Sequence, residues 1–249
     1  MKNALISGVY QVSILKYIIV LLSITILAFL GSTEMILRAF RQPNLLPSGY
    51  VGSFMRHALE QDAVLSLIPV LSVIPFSGVY VDDLKSKFAR FFLIRCSYSD
   101  YFVSRILIAF FCSGGCIAFG GVVAWIISAL LFMPMELSGE VDWDVISTVI
   151  QKLILIYCNG GLWAVIGISM SSLMESKYVA FASPFVIYYM LVILCERYIS
   201  DAYLLYPPNW TNPDVWPYGT WGAVIFLLEL TLVFGILFII RAGRRLREL

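Results

Sequence analysis

The chain has 249 residues, 60% of them hydrophobic and 13% charged, with a mean hydropathy of +0.88. Soluble domains hold about 25% charged residues, and disordered chains hold still fewer apolar ones, so the composition argues against both classes. Seventeen Lys and Arg against 16 Asp and Glu leave a net charge of +1, which argues against nucleic acid as a partner.

What remains is an integral membrane protein whose length suits about six helices of roughly 20 residues each. The first apolar run, 13–31, lacks the small-residue cleavage pattern of a signal peptide and reads as a retained helix. The stretch Met1 to Tyr17 is expected to form an interfacial helix. After Pro43 and Pro47, Tyr50 to Glu60 predicts a short interfacial helix. The second run, 63–81, contains Pro69 and Pro75, which permit kinks without cancelling a span because neighbouring helices satisfy the freed carbonyls. A polar segment, 82–95, follows. The third run, 101–133, is longer than a bilayer requires. An acidic loop with Glu136, Glu140, Asp142 and Asp144 leads to the fourth run, 145–173. The fifth, 178–195, contains Pro184. The loop 200–220 carries Pro207, Pro208, Pro213 and Pro217, with Trp210, Trp216 and the adjoining Trp221; tryptophan favours the headgroup level, so this loop is expected on the membrane surface. The sixth run is 221–240.

The expectation is one all-α, polytopic transmembrane domain covering 1–249, with six transmembrane helices. Twelve of the 17 basic residues fall on the side holding both termini, the segment 82–95 and the turn near Lys177; only Arg38, Arg41, Arg56, Lys152 and Arg197 fall on the other. The positive-inside rule then puts both termini in the cytoplasm.

Several chemistries lack their residues. There is no G-x-x-x-x-G-K-[ST] and no H-E-x-x-H, and the single histidine, His57, lies in a polar stretch. No catalytic, cofactor-binding or metal-binding residues are therefore assigned. The five cysteines, Cys96, Cys112, Cys116, Cys158 and Cys195, form no disulfide pattern; Cys112 and Cys116 read as small apolar residues at a helix contact. Asn209-Trp210-Thr211 is an isolated sequon. Gly114, Gly115, Gly120, Gly121, Gly160, Gly161 and Gly167 mark close helix approach in the third and fourth spans.

The segment Asp82 to Arg95 reads as an amphipathic helix. Leu84, Phe88, Phe91 and Arg95 share one face, and Lys87 and Arg90 lie on a neighbouring stripe. Asp82 and Asp83 are expected at its positive N-terminal end, with Asp83 in reach of Lys87. Two readings fit: a basic helix held by anionic lipid, or a docking element for a cytoplasmic partner.

On these residues the chain resembles the six-helix permease subunit of ABC-2-type transporters, the membrane half of bacterial ABC exporters. That family places a coupling helix between spans two and three. Asp82 corresponds to its acidic residue, Phe88 and Phe91-Phe92 to its apolar positions, Ser97 to a nearby serine and Arg105 to the basic residue opening the third span. Ser86 stands where a glycine is usual, and Arg95 where a proline is usual. The resemblance implies a transport subunit of the cell membrane, without catalysis of its own. It implies cytoplasmic ATPase subunits that bind ATP and Mg, and a second permease, identical or different. The ATPase-coupling interface would comprise Asp82, Asp83, Lys85, Lys87, Phe88, Arg90, Phe91, Phe92 and Arg95. The expected cargo is a hydrophobic peptide, an antibiotic or a lipid-like molecule.

Glu229 lies near the middle of the sixth run, where an acidic residue costs roughly 2.5–3.5 kcal/mol on insertion scales. It is expected to meet a facing helix, with Asn159 or a serine as partner, or to serve as a proton-coupling or substrate-contacting group. The latter gives the alternative reading of a proton-coupled secondary transporter or channel. A second alternative is a membrane immunity or scaffold protein without turnover.

Overall fold

The structure is a computed structural model that describes residues 11, 13–41, 46–86, 97–136, 143–199 and 202–248, with side chains up to 245. Nine α-helices are described: α1 (Ile14–Gly31), α2 (Thr33–Arg41), α3 (Tyr50–Glu60), α4 (Asp62–Val73), α5 (Val79–Lys85), α6 (Tyr98–Phe132), α7 (Trp143–Met174), α8 (Lys177–Arg197) and α9 (Gly219–Glu248). Short 3-10 turns occupy Met133–Met135, Pro207–Thr211 and Pro213–Val215. Among the described residues, the only β-type pairing is an isolated bridge between Leu46 and Glu136.

Five helical stretches are long and apolar enough to cross a membrane: Ile14–Gly31, Tyr98–Met135, Trp143–Met174, Lys177–Arg197 and Gly219–Arg245. The chain is therefore an all-helical, multi-pass membrane protein. The 63–81 run, expected as one continuous span, is divided. Pro69 remains inside α4, whereas Ile74 to Gly78 form turns and α5 resumes at Val79. Pro75 has no N–H to donate, and its ring clashes with the preceding helical turn. The break is secured against the bundle, where Ser77 Oγ donates to the Ala164 carbonyl at 3.2 Å.

The central element is α7, which packs against α6, α9, α8 and α4. Glycine permits its closest approach. A Cβ on Gly114 would sit 2.5 Å from the Tyr157 carbonyl oxygen, and one on Gly161 would sit 2.5 Å from the Phe110 ring. Hydroxyls tie other helices together where lipid provides no competing water. Tyr17 donates to the Cys112 carbonyl at 2.5 Å, Thr25 to the Gly120 carbonyl at 3.1 Å, and Ser169 to the Phe234 carbonyl at 2.8 Å. Cys116 Sγ lies at the same α1–α6 contact, 3.3 Å from the Tyr17 carbonyl.

Two of the loop segments pack against the bundle. The helix over Tyr50–Glu60 forms with the anticipated bounds, yet Phe54, Met55, Ala58 and Leu59 are buried against α6 and α7. It is part of the bundle's packing, with the Phe54 and Phe132 ring centroids 4.9 Å apart. The proline-rich loop also turns inward. Trp210 stacks on Trp163 at 5.5 Å between centroids, and Trp216 packs on Phe226 at 4.8 Å. The indole N–H groups of Trp210 and Trp216 donate to the carbonyls of Leu204 and Asn209. Thr211 of the sequon is buried. Trp221 is the exposed tryptophan there.

Candidate functional site

Each end of the bundle contains a buried cation set well inside a long helix. Arg105 lies seven residues into α6, about 10 Å along its axis, and Lys152 nine residues into α7, about 13 Å. Only 2% of Arg105 and 3% of Lys152 is exposed. Neither position is tolerable for a cation without a partner.

At one end Arg105 pairs with Asp83 at 2.5 Å, and Asp83 is equally buried. Asp83 Oδ2 also accepts the Tyr101 hydroxyl at 2.9 Å, while its Oδ1 accepts the Gln11 amide at 3.1 Å. Arg105 Nη1 returns a bond to Gln11 Oε1 at 2.6 Å. The guanidinium lies over the rings of Phe76 and Tyr101, with 5.8 and 5.2 Å to the centroids. The knot joins residue 11, the break after α4, the end of α5 and the first turns of α6. The start of α6 is itself secured by Ser97 Oγ, which accepts from the Asp100 N–H at 3.2 Å.

Two half-exposed ion pairs flank the knot. Lys177 at the start of α8 bonds Asp82, and Arg245 near the end of α9 bonds Glu175. Glu175 adopts a left-handed backbone with φ 49°, turning the chain between α7 and α8. These contacts bring 82–85, the 175–177 turn and the end of α9 to one end of the bundle, together with Gln11.

The expected helix geometry is corrected in part. Asp82 and Asp83 do not open a new helix; they lie within α5, which begins at Val79. Asp83 does not extend toward Lys87 on a solvated face but is turned inward to Arg105. Lys85 is exposed. Lys87, Phe88, Arg90, Phe91, Phe92 and Arg95 lie outside the described residues, as does the proposed helix within Met1 to Tyr17 as far as residue 10.

At the opposite end, Lys152 pairs with Glu60 at 2.7 Å and donates to the Thr211 carbonyl at 3.1 Å. Arg56 reaches Glu60 at 3.3 Å and Asp214 at 4.0 Å. Burial favours the neutral Glu60 acid, but the Lys152 ammonium and then Arg56 outweigh it and hold the carboxyl below its ordinary range. A cleft of about 470 Å³ opens beside this group, lined by Arg56, Gln151, Lys152, Asp214, Tyr218 and Trp221 among others.

The intramembrane pair does not meet. Asn159 is buried in α7, and its Oδ1 has no partner among the described residues. Glu229 is on the exposed face of α9. Among the described residues, no three His, Cys, Asp or Glu side chains gather as a metal-binding group. Gln11, Phe76 and Tyr101 were not anticipated as partners of the acidic segment. Their clue was Arg105 itself, a cation inside a run that otherwise reads as a span. No family model, curated protein or solved structure matches the chain.

Proposed function

We propose that this chain is the membrane-spanning permease subunit of an ATP-driven exporter of the ABC-2 type, carrying a hydrophobic or amphipathic cargo out of a bacterial cell. In this reading α4, its turn and α5 together make a sixth crossing, and both termini face the cytoplasm. The segment following Asp82 docks on a separate ATPase, which supplies ATP and Mg chemistry. A second permease, identical or different, completes the pathway.

One observation carries the reading. The chain enters the segment 86–97 from Asp83 and leaves it toward Tyr101 and Arg105, and these three side chains are bonded to one another. A push on that segment is thereby delivered to α5 and α6 together, and through Gln11 to the stretch before α1. A stiff anchorage of this kind suits a lever better than a lipid-resting surface helix. Aromatic side chains such as Phe88, Phe91 and Phe92 are suited to filling a partner's cleft, with Lys87 and Arg90 setting orientation at its rim. The proton-coupled alternative is less well served, because Glu229 lies on the outer face of α9 and not between helices.

The test is purification of the full chain from native membranes in mild detergent. An ATPase with a P-loop is expected to accompany it. An Arg90→Ala/Phe91→Ala double variant is expected to insert normally and to lose that companion at least tenfold. Recovery of the variant with undiminished ATPase, or of the native chain with none, would overturn the assignment.

A further inference from the structure

The cleft beside Lys152 carries two opposite charges that satisfy each other poorly. Arg56 and Asp214 both line it and stand 4.0 Å apart, the widest ion pair among the described residues, with side chains 49% and 78% exposed. Lys152, buried beneath them, is already engaged by Glu60 at 2.7 Å and the Thr211 carbonyl at 3.1 Å. The charges open to a visitor are therefore one cation and one anion. The opposite rim is apolar. Both α7 and α9 begin at this end, so later residues in each lie nearer the bilayer middle. On that side the lining is Ile154 and Trp221, 37% and 68% exposed, and Ile225 extends the apolar surface one turn further along α9 at 55%. The cleft thus meets water beside Asp214 and hydrocarbon below Trp221. Its volume, about 470 Å³, falls within the roughly 300–1,000 Å³ usual for small-molecule sites.

We propose that this cleft binds the headgroup of a zwitterionic phospholipid of the surrounding bilayer, with the phosphate at Arg56, the ammonium at Asp214 and an acyl chain along Ile154, Trp221 and Ile225. A phosphate accepts paired bonds from a guanidinium. The first turn of α9, whose Gly219 and Thr220 also line the cleft, favours an anion at the same place. The charges select the class of ligand. A purely anionic head gains Arg56 but is repelled by Asp214, and a purely cationic head meets the reverse. A phosphate and an ammonium on one short linker are matched to both. The apolar rim selects a lipid, because a water-soluble zwitterion leaves Ile154 and Trp221 uncovered. Trp221 also suits the headgroup level, where an indole meets both water and hydrocarbon. This lipid is a resident of the bilayer, distinct from the cargo of the exporter reading. Its test involves no ATPase and no transport, so either idea can fail while the other stands.

The full chain in a non-ionic maltoside detergent is photolabelled with a phosphatidylethanolamine carrying a diazirine in its acyl chain, and the labelled peptides are mapped by mass spectrometry. Label is expected on the peptides holding Ile154 and Trp221. Unlabelled phosphatidylethanolamine is expected to displace it at about fivefold lower concentration than phosphatidylglycerol of the same chains, the factor that one half-exposed ion pair supplies. Asp214→Asn is expected to abolish that preference, and Arg56→Gln to lower labelling by about fivefold. Both side chains are solvent-facing, and Glu60 keeps Lys152 as its partner in either variant. Phosphatidylglycerol displacing the label as well as phosphatidylethanolamine overturns the proposal and makes the cleft an anion site. Soluble glycerophosphoethanolamine displacing it as well as the lipid overturns the lipid as the source. Label that misses both peptides, or that is unchanged in either variant, removes the site. The mapping and competition on the native chain decide alone where a variant does not accumulate.

Discussion

Arg105 and Lys152 show how a cation can be placed beneath an apolar surface. Each is surrounded by acceptors from several parts of the chain, so desolvation is offset by an ion pair and by further bonds. The offset requires both partners. Arg105→Met should lower stability by about 3–5 kcal/mol, because Asp83 then remains buried and unpaired. Asp83→Leu should do the same from the other side. The double variant should recover much of the loss, since no uncompensated charge is left. Lys177→Met, which breaks a half-exposed pair with Asp82, should cost about 1 kcal/mol or less. Thermal unfolding in detergent reads all four; equal losses for Arg105→Met and Lys177→Met would contradict the burial argument. At this scale the sequence reveals which residues are expensive in an apolar run. It does not reveal their partners, because Arg105 and Gln11 are 94 positions apart.

Among the elements, hydrophobic periodicity and length locate the long helices well. The expected runs 101–133, 145–173 and 178–195 correspond to α6, α7 and α8 within a few residues. Short elements are less legible, since their fate depends on what they touch. The helix α3 has a polar enough composition for an interface, yet its apolar side meets α6 and α7. The 200–220 loop has the tryptophans of a surface anchor, but Trp163 in α7 provides a flat ring for Trp210 to stack on. This gives a contrast between two tryptophans eleven residues apart. Trp210→Ala should destabilise the bundle by about 3–5 kcal/mol, as truncation of a buried aromatic does. Trp221→Ala, at 68% exposure, should change it by about 0.5 kcal/mol or less. Similar unfolding midpoints for both variants would contradict the packing of Trp210 on Trp163. The division of the 63–81 run into α4 and α5 also belongs here. Pro75 announces a weakness, but only the neighbouring Ala164 carbonyl, ready to accept Ser77, makes the break a stable feature.

At the scale of the whole molecule, the ion pairs that join different helices among the described residues sort into two ends. Arg105, Lys177 and Arg245 find acids at one; Arg56 and Lys152 find them at the other. This matches the division of basic residues made from the flanks of the apolar runs, and it makes orientation measurable. A cysteine in place of Asp214 should react with a membrane-impermeant maleimide on intact cells, whereas one in place of Glu175 should react only after permeabilisation. The opposite pattern would invert the topology and remove the proposed coupling segment from the cytoplasm.

Composition and the spacing of apolar runs determined by themselves that this chain is helical and lives in a membrane. The reason is general: backbone polar groups in hydrocarbon must be satisfied within the segment that carries them, so a long apolar run has essentially one solution. Tertiary structure alone decided where the polar side chains go. Asp83 turned inward to Arg105, while Glu229 was left on the outer face of α9. Those choices depend on which helices meet and at what rotation, and rotation about a helix axis is set by the packing of α7 against its neighbours, which no single run encodes.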